Sequence, residues 1–118
     1  MKCILVVDDD TDYLRLFRNL LMQEGFSVKC AISGDNALSI LKDSTIHLMI
    51  TDLNMPNMNG IELAKRASTI MPQLPIILIT GTIADVTQTA EDAGIKKILY
   101  KPSDPQEILV TVMNILKI

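Results

Sequence analysis

Apolar residues are distributed along the chain in two alternating patterns, short unbroken runs and stripes at helical spacing. Residues 2 to 7 form an apolar run that stops at Asp8-Asp9-Asp10 and reads as a buried strand followed by a loop. Thr11 or Asp12 then caps a helix on which Leu14, Phe17, Leu20 and Leu21 recur up to Glu24, with Gly25 as the stop. Phe26 to Ala31 reads as a second strand, with Ser33 or Asp35 as the next cap and Ala37, Leu38 and Leu41 as the stripe of a second helix. Ile46 to Thr51 is the third strand. Ile61, Leu63, Ala64, Ala67 and Ile70 give a third helix that ends before Pro72. Pro75 to Thr80 is a fourth strand whose Ile76-Ile77-Leu78-Ile79 core has no polar break, so both of its faces need cover.

The pattern weakens from Ile83 to Ala93. Val86, Thr87 and Thr89 are poor helix formers there and Gly94 is the one strong cue, so this fourth helix is expected to be the most mobile. Ile95 to Tyr100 gives the fifth strand. Asp104, Pro105 and Glu107 start a fifth helix that runs to the C-terminus. Its Ile108, Leu109, Val112, Met113, Ile115 and Leu116 span an arc of roughly 160°, wider than the roughly 100° a core-facing helix needs, which leaves an edge for a partner.

Five continuously apolar strands alternating with five helices predict an α/β fold: a three-layer, doubly wound (βα)5 arrangement around a five-stranded parallel sheet. Composition narrows the class without changing it. With 118 residues, 48% hydrophobic, 21% charged and 3% aromatic, the chain reads as one domain, 1–118, with an aliphatic core. A net charge of -3 and the lack of a Lys/Arg cluster argue against direct nucleic-acid binding and a membrane surface. The acidic triplet cuts the N-terminal run far short of a signal peptide, and no window approaches a membrane span, so a cytoplasmic location is expected. Cys3 and Cys30 read as two reduced core thiols.

In open parallel sheets, ligands gather at the carboxyl ends of the strands, where the strand order reverses. Asp8, Asp9 and Asp10 follow strand one, Asp52 closes strand three, Thr80-Gly81-Thr82 closes strand four and Lys101-Pro102 follows strand five. A flavodoxin-like order of 2-1-3-4-5 would bring Asp8 or Asp9 close to Asp52. Carboxylates that near one another call for a proton or a cation, and an all-oxygen set suits a hard divalent ion such as Mg²⁺ rather than zinc. With Thr80 and Lys101 on the other wall, Asp52 sits in a cradle for the three oxygens of a phosphoryl group attached to it, as in aspartyl-phosphate chemistry.

This constellation resembles the receiver domain of two-component response regulators (chemotaxis-regulator-like), and the resemblance covers nearly the whole chain. It is carried by Ile4-Leu5-Val6-Val7-Asp8-Asp9-Asp10, by Asp52-Leu53-Asn54-Met55-Pro56-Asn57-Met58-Asn59-Gly60, by Thr80-Gly81 and by Lys101-Pro102. It implies that Asp52 accepts a phosphoryl group from a phosphohistidine on a sensor histidine kinase or histidine phosphotransfer protein. Asp9, Asp52 and the backbone carbonyl of Asn54 would ligate Mg²⁺ directly and Asp8 through a water, while Thr80 and Lys101 hold the phosphoryl oxygens. It implies a signalling domain with self-catalysed phosphorylation and dephosphorylation only, a cis Lys101-Pro102 bond, and a switching face made by the fourth helix, fifth strand and fifth helix. That face would meet an output domain or effector, or a second copy of the chain. In the family, the positions of Asn54 and Thr82 tune the lifetime of the phosphoryl group.

Two positions depart from the family pattern. A switching Tyr or Phe often stands three residues before the lysine, where this chain has Ile98, and the Phe that commonly follows Lys-Pro is Ser103. The bland alternatives are a solvated capping loop for the aspartates, a surface Lys101, a structural His47, and core filling by Met55 and Met58. Two rival functions remain: a phosphorylation-independent adaptor and a Mg²⁺-dependent phosphohydrolase with an aspartyl nucleophile. The second is disfavoured because Asn54 stands where such enzymes place a second acid and no insertion is long enough for a lid.

Overall fold

The computed structural model describes residues 1–81 and 85–118. The elements follow in the order β1 (Cys3–Val7), α1 (Thr11–Gln23), β2 (Ser27–Ala31), α2 (Gly34–Asp43), β3 (Leu48–Asp52), α3 (Gly60–Ile70), β4 (Ile76–Thr80), α4 (Thr87–Asp92), β5 (Lys97–Tyr100) and α5 (Pro105–Leu116). The strands pair in one parallel sheet ordered β2-β1-β3-β4-β5, as expected. Every residue of β1, β3 and β4 is buried, whereas the edge strands β2 and β5 are partly exposed. Unbroken apolar runs thus occupy the centre of the sheet, where both faces are covered.

Successive strand residues point to opposite faces, and the core divides accordingly. Cys3, Leu5, Val7, Met49, Ile76 and Leu78 pack under α2, α3 and α4. Ile4, Val6, Ile50, Ile77 and Ile79 pack under α1 and α5, against Leu14, Phe17, Leu21, Ile108, Leu109 and Val112. Side chains such as Ile77 and Leu78 are fully removed from solvent, each stabilising the fold by about 1.5–3 kcal/mol. The two thiols are free; Cys3 is buried in the first layer, while Cys30, expected in the core, is only half-buried against the second. β2 is an edge strand, so its side chains lack a neighbour on one flank.

Local chemistry sets the element ends. α1 is capped by Asp10 rather than by Thr11 or Asp12: Asp10 is extended, and its side chain accepts from the Asp12 N–H at 2.9 Å. Of the two candidates for α2, Ser33 is the cap. α3 is capped by Asn59, and α5 by Asp104 with Pro105 in its first turn. Gly25 and Gly94 take φ of 92° and 89°, the left-handed conformation their helix-stopping role requires. β3 starts two residues later than its apolar run and includes Asp52, because the pairing of Asp52 with Ile79 extends it there.

α4 is shorter than the expected Ile83 to Ala93. Residues 85 and 86 are not helical: Val86 is the N-cap with no side-chain cap bond, and the Asp85 side chain just before it accepts from the Thr87 N–H at 3.0 Å. The expected helix start at Ile83, and Thr82, lie outside the described residues. On α5, Ile108, Leu109 and Val112 are buried, Met113, Ile115 and Leu116 are half-buried, and Val110 is 48% exposed. The Met113, Ile115 and Leu116 edge of the wide apolar arc is therefore only half covered, and Val110 lies outside that arc. Among the described residues no helix is long and apolar enough to cross a membrane.

Candidate functional site

The chain winds outward in opposite directions from β1 and β3, so the crevice at their carboxyl ends is the switch point of the sheet. β1 delivers Asp8, which is 2% exposed, and β3 delivers Asp52, which is 7% exposed. Asp9 stands next to them in solvent, and one carboxylate oxygen from each of Asp8, Asp9 and Asp52 falls within 4.8 Å of the others. The convergence that the strand order predicts is present.

The opposing charge comes from the fifth strand end. Lys101 Nζ lies 3.2 Å from Asp52 Oδ1 and 3.4 Å from Asp8 Oδ2, with its side chain 19% exposed. The Lys101 N–H donates to the Thr80 carbonyl at 2.8 Å, which ties this strand end to the next. The Lys101-Pro102 bond is cis, as the family pattern implies. Thr80 is fully buried at the end of β4 and pairs with Tyr100 in register. Asn54 is exposed in the turn after β3.

Burial pushes the Asp8 carboxyl above its ordinary value, and the Asp52 carboxylate adds to the rise. The Asp10 N–H, 2.9 Å from Oδ1, and Lys101 hold it back without cancelling it. Burial works against the charged form of Lys101, but the Asp52 and Asp8 carboxylates outweigh it and the ammonium is held above its ordinary value. One ammonium thus faces two buried carboxylates. An oxygen-only set of this charge with one solvent-facing member fits a hard divalent cation. His47 lies elsewhere: the Cys3 N–H donates to its Nδ1 at 3.0 Å, at the amino end of the sheet, so it is structural.

The turn after β3 is built to hold Asp52 in place. Asn57 takes φ of 71°, and the Asn59 side chain accepts from the N–H groups of Ile61 and Glu62 at 2.9 Å. The Gly60 N–H donates to the Leu53 carbonyl at 2.9 Å, and a Cβ at Gly60 would run into the Asp52 carbonyl and the Leu78 side chain. Met55 and Met58 are buried in the core; Met58 fills the space against Gly34. Core filling is their role.

A model of the response regulator receiver domain matches residues 4–113. The chain belongs to the response regulator receiver domain family. It is 36% identical over 117 residues to the response regulator receiver protein CpdR of Brucella abortus, covering 98% of each chain. It is 36% identical to the transcriptional regulatory protein CpxR of Escherichia coli, covering 99% of this chain and 50% of CpxR. Among solved structures, it matches a CheY-like receiver domain protein from Methanospirillum hungatei with a TM-score of 0.96 and 29% identity, over 99% of this chain and 94% of that one. It also matches the response regulator TrrA from Thermotoga maritima, solved in complex with Mg²⁺ and BeF, with a TM-score of 0.89 and 28% identity over 97% and 98% of the two chains. As a receiver of the two-component system, the chain serves phosphorylation-based signalling.

Within this receiver, Ile98 is half-buried where family members often carry a switching aromatic, and Tyr100 is 50% exposed. Ser103, in place of the usual Phe, donates its hydroxyl proton to the Tyr100 carbonyl at 2.7 Å. Sequence reasoning missed Tyr13, whose ring centroid lies 4.1 Å from Lys101 Nζ. No sequence signal pointed to it: Asp9 precedes the helix cap Asp10, so helical spacing does not tie Tyr13 to the site loop, and Tyr13 lies off the buried stripe of Leu14, Phe17 and Leu21.

Proposed function

We propose that Asp52 is the phosphoacceptor of this receiver and that Lys101 and Thr80 hold the phosphoryl oxygens. The observation that carries this reading is the Lys101 ammonium seated between Asp52 and Asp8, in a cluster with Asp9. In the transfer, an Asp52 carboxylate oxygen attacks phosphorus while the P–N bond of a phosphohistidine breaks. The bonding pair stays on the imidazole nitrogen, which takes up a proton as it leaves. Lys101 is freed from its carboxylates to meet the equatorial oxygens, where negative charge is spread.

Asp9, Asp52 and the Asn54 carbonyl would hold Mg²⁺ directly, and Asp8 through a water. Both Asp8 oxygens already accept, from the Asp10 N–H and from Lys101, which favours an indirect role. Bound there, the ion would supply positive charge to the phosphoryl oxygens. The same groups would serve water in removing the phosphoryl group, so phosphorylation and dephosphorylation are self-catalysed and no external substrate is turned over.

The donor in this reading is a sensor histidine kinase or a histidine phosphotransfer protein, and residues 1–118 act as one cytoplasmic receiver domain. Phosphorylation would shift the face made by α4, β5 and α5 toward an output domain, an effector or a second copy of the chain. The exposed Tyr100 and Val110 support that face, as does an open groove of about 630 Å³ between α4 and β5. A population bias of a few kcal/mol would suffice. The test offers a phosphohistidine-bearing protein and p-nitrophenyl phosphate side by side. Transfer from the first to Asp52 without turnover of the second is expected. Sustained release of nitrophenol would favour a phosphohydrolase, and no transfer from any donor an adaptor.

A further inference from the structure

Lys101 carries its ammonium on a flexible four-carbon stem, and such a group must be held if it is to meet an oxygen at a fixed place. Two sides of Nζ face the carboxylates of Asp8 and Asp52. A third faces Tyr13, with 4.1 Å between Nζ and the ring centroid. A ring face presents the negative lobe of its quadrupole, so this is an attractive contact that needs no hydroxyl.

Tyr13 is itself fixed. It sits in the first turn of α1, next to the loop that presents Asp8 and Asp9. Its ring lies 6.0 Å from that of Phe17, at an interplanar angle of 30°, and Phe17 is 3% exposed. Beside the ring an apolar groove runs between α1 and the start of α5, lined by Leu16, Leu20, Pro102 and Pro105 together with Tyr13 and Lys101. A smaller aliphatic side chain at residue 13 would leave the lysine free to swing toward that opening and away from Asp52.

We propose that Tyr13 is a positioning residue for Lys101, its ring face holding the ammonium between Asp8 and Asp52. The proposal rests on Lys101 serving the phosphoryl group at Asp52. The test uses the full chain in native, Tyr13→Phe and Tyr13→Leu forms, with two readouts. Ring-current shifts report the contact directly: the Lys101 ε-methylene resonances lie upfield in the native and Phe chains and at ordinary values in the Leu chain. The initial rate of phosphorylation by acetyl phosphate with Mg²⁺ stays within about twofold in Tyr13→Phe and falls about three- to tenfold in Tyr13→Leu.

Ordinary ε-methylene shifts in the native chain overturn the proposal, even if Tyr13→Leu fails to fold. An equal fall in rate for the Phe and Leu chains also overturns it, because the ring would then not be the active part. If the native chain takes up no phosphoryl group at all, the assignment of Asp52 fails, while the resonance shifts still decide the contact by themselves.

Discussion

Replacing Lys101 by Met removes the ammonium but keeps much of the stem. The distances of 3.2 Å and 3.4 Å to Asp52 and Asp8 correspond to attractions of roughly 5 kcal/mol each at an effective dielectric constant of about 20. The two carboxylates place oxygens within 4.8 Å of each other, a repulsion of at least roughly 3 kcal/mol on the same scale. Most of the lost attraction is recovered because the lysine no longer pays for desolvation and because Asp8 can take up a proton. Breaking a buried pair costs about 3–5 kcal/mol, and the partial exposure of Lys101 lowers the expected loss to about 2 kcal/mol at neutral pH.

The pH dependence follows from the two shifts. The Asp8 carboxyl is already raised, so the folded state binds its proton more tightly than the unfolded chain does, and its ionisation costs stability as pH rises past 3.8. Without Lys101 that rise grows, so the gap between native and variant is widest at neutral pH and closes toward pH 3.8. Lys101 is also raised by its two carboxylates, so while they are ionised its contribution holds up to 10.5, and it is lost again as pH climbs through its higher folded value. Urea denaturation in EDTA at several pH values measures the gap, and millimolar Mg²⁺ should stabilise the variant more than the native chain by replacing the missing charge. Equal stability of the two chains in EDTA at neutral pH, or a gap unchanged on acidification, would refute the electrostatic account.

Gly60→Ala should cost about 1–3 kcal/mol in the same denaturation assay and slow phosphorylation, because the new Cβ pushes on the Asp52 carbonyl and on Leu78. His47→Leu should cost about 1–2 kcal/mol by leaving the Cys3 N–H without its acceptor, with no change in phosphorylation rate. Asp9→Asn should abolish most of the Mg²⁺-dependent rise in thermal midpoint while leaving the metal-free fold in place, since Asp9 is exposed and gives up no core contact.

The fold was legible because β1, β3 and β4 are buried along their whole length, and apolar side chains fill all of β1 and all but the carboxyl ends of β3 and β4, at the centre of a sheet covered on both faces. Their order also fixed where the strand ends converge, so Asp8, Asp9, Asp52, Thr80 and Lys101 could be named together. Element ends were less legible. Any of Asp10, Thr11 and Asp12 can cap a helix, and the backbone angles at Asp10 decide among them. The late start of α4 depends on the Asp85 side chain competing for the Thr87 N–H. Tyr13 was invisible for a different reason: it lies off the buried stripe of Leu14, Phe17 and Leu21, and its ring acquires a role only when the end of β5 is folded against α1.

Intact mass after incubation with acetyl phosphate, with and without Mg²⁺, for the native chain and Asp52→Ala, tests the acceptor assignment most directly. A gain of one phosphoryl group that requires Mg²⁺ and is absent in Asp52→Ala is the predicted result. Equal gain in the Asp52→Ala chain, or no gain in the native chain together with failure to form a beryllofluoride complex, would contradict it.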